Sequence, residues 1–140
     1  MDRTADRLDI IELLHRYSWA MLDKDWTAWQ ACFAEGAHVD YTTAGGIAGT
    51  PAEAAAWLET TMAMFAITAS QASNAVVTFD GNDVDDAAKV RSMYRMVMKI
   101  DGGASAPTYM EAQGAYADTM VRTADGWKLA NRYEHLFYVR

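Results

Sequence analysis

The sequence predicts an α+β fold, with N-terminal helices packed on one face of a curved, mostly antiparallel sheet. Three observations carry this expectation. The first third of the chain repeats apolar residues at helical spacing. From Ala69 onward the pattern changes to period-two alternation. Turn signals at Asp80-Gly81-Asn82-Asp83, Asp101-Gly102-Gly103 and Ala124-Asp125-Gly126 then divide that second part into four long strands. The 140 residues fit one domain, 1–140, and 51% apolar residues supply its core.

The first helix is expected from about Ala5 to Leu22, where Ile10, Leu14, Tyr17 and Met21 form one stripe flanked by Leu13 and Ile11. Tyr17 therefore lies in the middle of the buried face. Asp25 is placed to cap a short second helix carrying Trp26, Trp29 and Phe33. A strand follows over about Ala37 to Thr42, and Gly45-Gly46 breaks the chain. Thr50-Pro51-Ala52-Glu53 is a helix start, with Thr as N-cap, Pro at the first helical position and Glu at the capping-box position. The third helix carries Trp57, Leu58, Met62 and Phe65.

Alternation assigns the strand faces. Val90, Ser92, Tyr94, Met96 and Met98 share the face toward the helices, and Gln71, Ala75, Val77 and Phe79 share the same side of the preceding strand. Gly114, Tyr116, Asp118 and Met120 continue it. In the last strand the uncharged set Trp127, Leu129, Asn131, Tyr133 and His135 is expected inside, although a bulge would reverse that, since one residue of slip flips every side chain. The opposite set Ala115, Ala117, Thr119 and Val121 is too apolar for open water, so a homodimer through the outer sheet face is expected.

Composition excludes several function classes. A formal charge of −7 opposes nucleic-acid binding, which needs a basic face. No apolar run is long enough to span a membrane and the N-terminus is polar, so a cytoplasmic location is expected. The single Cys32 has no internal disulfide partner, and zinc-type spacing is missing. The acidic group Asp80, Asp83, Asp85 and Asp86 reads as a solvated hairpin tip, because Val84 breaks the calcium-loop pattern. His15 and His38 read as surface residues. No metal and no organic cofactor are expected.

Tyr17, Asp23, Tyr41, Gln71, Tyr94 and Tyr116, with Asn131 and His135 of the last strand, are thus expected to converge on one interior volume. Buried hydroxyls each need a partner, so several phenols aimed at one apolar space read as a ligand cavity, although ordinary packing also uses buried tyrosines.

The Tyr17…Asp23-x-x-Trp26 helix ending, the strand Val39-Asp40-Tyr41 and the hairpin from Tyr116-Ala117-Asp118 to Asp125-Gly126-Trp127 resemble the NTF2-like superfamily. Within it the chain is similar to the SnoaL-like and scytalone dehydratase-like branch. The resemblance implies an NTF2-like (cystatin-like) cone. It implies that Asp23 matches the acid that orients a histidine base in related dehydratases. Tyr41 matches a tyrosine that polarises the substrate carbonyl, and Tyr94 falls near a second pocket histidine. Gln71 stands where the branch carries its catalytic histidine, and an amide cannot take a proton at neutral pH.

The expectation is a cofactor-independent lyase, a dehydratase-type elimination through an enolate on a small cyclic or aromatic hydrophobic substrate. Asp23, Tyr41, Tyr94 and His135 are the expected catalytic residues, and Tyr17, Gln71, Tyr116 and Asn131 the expected substrate-binding residues. An isomerase or polyketide cyclase of the same fold, or a non-catalytic small-molecule-binding domain, are the alternatives.

Overall fold

The structure, a computed structural model, describes residues 2–79 and 86–140. Helices α1 (Thr4–Asp23), α2 (Trp26–Gln30) and α3 (Pro51–Met62) lie against one six-stranded sheet. Its strands are β1 (Phe33–Asp40), β2 (Ala48–Gly49), β3 (Ile67–Phe79), β4 (Ala87–Ile100), β5 (Thr108–Thr123) and β6 (Gly126–Val139). Their spatial order is β2-β1-β6-β5-β4-β3, and only the β1–β6 pair is parallel. The α+β arrangement read from the sequence is therefore the one observed. The turn at 80–83, and the acidic group except Asp86, lie outside the described residues. Among the described residues no helix is long and apolar enough to cross a membrane.

Local chemistry explains the helix ends. α1 buries Ile10, Leu13, Leu14, Tyr17 and Met21, the stripe expected from helical spacing. It stops at Lys24, which adopts a left-handed φ of 52°, while the Asp25 amide returns to the Ala20 carbonyl at 3.0 Å. Asp25 then caps α2, its carboxylate accepting the Ala28 amide at 2.9 Å. Thr50 caps α3 by accepting the Glu53 amide at 3.2 Å, with Pro51 at the first position. At the far end Asp6 ties α1 to the sheet by accepting from the Trp127 indole at 3.1 Å and from the Arg122 guanidinium of β5.

β1 begins earlier than expected, at Phe33, and ends at Asp40, so Tyr41 sits one residue beyond the strand. There it opens a single 3-10 turn over Thr42–Ala44.

Two irregularities revise the strand faces. In β3 the pairing with β4 shifts between Ser73 and Val76, where Asn74 takes a positive φ of 56°. Ala75, Val77 and Phe79 face inward as expected, but the slip turns Gln71 outward, where it is exposed. Ser70 takes the inward place. In β6 the register skips between Met120↔Leu129 and Thr119↔Asn131. Trp127 and Leu129 stay buried, but beyond the skip Arg132 and Glu134 point inward while Asn131, Tyr133 and His135 lie on the exposed face. The expectation that Gln71, Asn131 and His135 face the interior is corrected accordingly, each by a one-residue slip.

Candidate active site

Between α1, α3 and the inner faces of β3–β6 lies a cavity of about 320 Å³ with mostly apolar walls. Four phenols reach it, each from a different element. Tyr17 comes from the buried face of α1, Tyr41 from the end of β1, Tyr94 from β4 and Tyr116 from β5. Tyr17 and Tyr41 share a hydrogen bond between their hydroxyls. Tyr94 stacks on Tyr116 with ring centres 4.7 Å apart and planes 27° from parallel. That stack needs glycine at position 114, directly across the β4–β5 ladder from Tyr94. A Cβ there would stand 2.7 Å from the Tyr94 hydroxyl. Trp57 of α3 closes the wall beside Tyr41, 6.4 Å between ring centres.

Glu134 is the one carboxylate among the described residues lining this cavity. The Tyr94 hydroxyl is its polar neighbour in the cavity. Burial dominates its titration and pushes the carboxyl up from 4.5 to about 7, against the neighbouring Tyr94 hydroxyl and the Arg132 charge, which pull it down. Burial likewise pushes the Tyr41, Tyr94 and Tyr116 phenols upward, so all three remain protonated donors near neutrality.

Beneath the phenols lies a buried ion pair. Arg132 donates to both Asp118 oxygens, at 2.9 and 2.8 Å, and the side chains are 1% and 0% exposed. The guanidinium lies 3.7 Å from the Tyr116 ring centre and 4.3 Å from that of Tyr17. A forked pair of this kind is strong only because its geometry is complete; removal of either partner would strand a buried charge.

The structure thus brings Tyr17, Tyr41, Tyr94 and Tyr116 together and leaves the other expected site residues elsewhere. Asp23 is exposed at the end of α1 and lines a separate surface groove of about 420 Å³ with Asp9, Trp19 and Asp25. Helix geometry explains this: Tyr17 and Met21 fall on the buried stripe, while Asp23 falls off it. Gln71 lines an outer groove beside Trp19 and Leu22. Asn131 and His135 lie on the outer sheet face. Glu134 and Arg132 are the residues that face alternation missed. A signal for Arg132 was present, because Asp118 in an otherwise uncharged inward set demands a cation on a neighbouring strand. With Arg132 inside, Glu134 two residues on must also be inside.

Comparison with known proteins gives the same fold. The SnoaL-like domain family matches residues 2–133. The chain is 31% identical over 130 residues to the uncharacterized protein Rv2910c of Mycobacterium tuberculosis, covering 93% of this chain and 84% of that one. Among solved structures it is similar to the Kfla4162 protein from Kribbella flavida, with a TM-score of 0.86, 25% identity and coverage of 99% and 95%. A scytalone dehydratase-like protein from Novosphingobium aromaticivorans follows, with TM-score 0.81, 22% identity and coverage of 97% and 87%. The hexachlorocyclohexane dehydrochlorinase LinA superposes with TM-score 0.76 at 17% identity, covering 99% and 89%.

Proposed function

This chain belongs to the SnoaL-like domain family, and we propose that it is an enzyme that forms an enolate from a small cyclic carbonyl compound, with Glu134 as the proton carrier. The observation that carries the reading is a buried carboxyl titrating at about 7, set among phenols inside an apolar cavity. A general acid–base catalyst works best when its pKa lies near the working pH. The expected role of Asp23 passes to Glu134, because Glu134 lines the phenol cavity and Asp23 does not.

In this reading the substrate carbonyl accepts hydrogen bonds from Tyr41, whose hydroxyl is oriented by Tyr17, and charge grows on that oxygen as Glu134 takes the adjacent C–H proton. In an elimination, the enolate reforms its carbonyl as the β-hydroxyl departs, and Glu134 returns the proton to it as water leaves. The carboxylate is regenerated, so the step balances without another reactant. If the proton returns to carbon instead, the same groups perform an isomerisation. Two of the structural relatives, the dehydratase-like protein and the dehydrochlorinase, bear names of eliminations, which supports the first course.

The test is hydrogen–deuterium exchange at the α-carbon of β-tetralone in heavy water, followed by proton NMR. The protein is expected to accelerate exchange above buffer, and Glu134→Gln to slow it by about 10²–10⁴. Equal exchange by parent and variant would remove Glu134 from the chemistry.

A further inference from the structure

We infer that the ligand of this cavity is uncharged and free in solution, and that it enters polar end first, leaving an apolar substituent in a methionine-lined mouth. The inference rests on the reading of the cavity as a binding site and adds the class and orientation of what it binds.

The two ends of the cavity differ in chemistry. The polar groups, Glu134 and the hydroxyls of Tyr17, Tyr41 and Tyr94, gather at one end. The rest of the lining includes Met62, Met64, Met96, Met98 and Met110, drawn from α3, the turn after it, β4 and β5. Met64 is 64% exposed, which marks this as the open end. Unbranched thioether side chains rotate freely and adapt to ligands of different outline. The phenol end cannot adapt in that way, because the Tyr94–Tyr116 stack and the Arg132–Asp118 pair fix it. Recognition should therefore be strict for the polar group and lenient for the substituent.

Charge sets the ligand class. Among the described residues lining the cavity there is no Lys, Arg or His. The nearest buried cation, Arg132, spends its fork on Asp118 and is covered by two rings. Outside, Arg95 and Arg140 both pair with Glu111, Lys99 pairs with Asp101, and the Lys24 ammonium is spent on the Phe65 carbonyl. An anionic ligand, or one carried on a phosphate-bearing thioester arm, would face the Glu134 carboxylate without compensation. The reaction that supplies this substrate must therefore release it from any anionic carrier.

Binding is read by quenching of tryptophan fluorescence, since Trp57 lines the cavity. At about pH 8, above the Glu134 titration, β-tetralone should bind and β-naphthoate should bind about tenfold or more weakly. Cyclohexanones carrying a methyl, ethyl, propyl or butyl group opposite the carbonyl should tighten by about three- to fourfold per methylene. Met110→Glu should flatten that series. Equal affinity for tetralone and naphthoate would overturn the charge assignment, and a flat series in the parent protein would overturn the orientation. Binding as described without proton exchange would sink the enzyme reading and leave this inference standing. Failure of every uncharged probe to bind would sink both.

Discussion

Glu134 joins two properties that rarely coexist in one side chain: it is 8% exposed, and it lines a cavity open to ligand. Its raised titration has a thermodynamic consequence of definite sign. The folded protein holds the Glu134 proton up to about pH 7, whereas the unfolded chain releases it near 4.5. Between those values the native state binds more protons, so stability falls as pH rises, and above pH 7 the penalty is complete. Glu134→Gln removes the charge and keeps the shape. It should therefore unfold at higher denaturant than the parent at pH 8, by about 3 kcal/mol at most, and the gap should close toward pH 4.5. Urea titrations at the two pH values check this. A variant that is both inactive and more stable is the mark of a residue kept for chemistry.

At the scale of elements, the two errors of strand facing are bulges, whereas Asp23 lies outside the cavity because it falls off the buried stripe of α1. Helix starts at Asp25 and Thr50 were legible because a cap is a local hydrogen bond between residues three apart. The inward set of β4 was legible because that strand pairs without interruption along its length to β5. The slips at Asn74 and after Leu129 are long-range pairing events, with no local marker beyond a left-handed asparagine. They moved Gln71 out and Glu134 in.

A further feature of element ends concerns the turn after Tyr41. β1 stops pairing with β6 at Asp40↔Tyr133, and past that point the Thr43 hydroxyl substitutes for a strand. It donates to the Glu134 carbonyl at 2.7 Å and accepts the Leu136 amide at 3.1 Å. Thr43 thereby joins the segment bearing Tyr41 to the strand bearing Glu134. Thr43→Val should reduce exchange by several-fold while changing stability by about 0.5–1.5 kcal/mol, and Thr43→Ser should restore activity. Unchanged exchange in the valine variant would make the clasp irrelevant to the site.

At the scale of the molecule, the helices cover one face of the sheet and leave the other bare. The bare face carries Val76, Tyr133 and Phe137, exposed by 64%, 41% and 48%, alongside Ala115 and Ala117. A patch of that composition favours burial, and a second copy of the chain is the proposed cover. Sedimentation at micromolar concentration should give a dimer, and Phe137→Lys should shift it to monomer. A parent protein that sediments as a monomer contradicts the proposal. The family and the fold were legible from the sequence because they rest on patterns spread over the whole chain. The cavity lining was legible in part: the four phenols were, whereas Glu134 enters it through the facing of one strand and Asp23 lies off the buried stripe of its helix.

The most direct test of the account is the titration of Glu134 itself, followed by carbon NMR of the side-chain carboxyl in the folded protein with Glu134→Gln used to assign the signal. The account predicts an inflection at about pH 7. An inflection near the ordinary 4.5 would show a solvated carboxylate with no special fitness for proton transfer, and would contradict it.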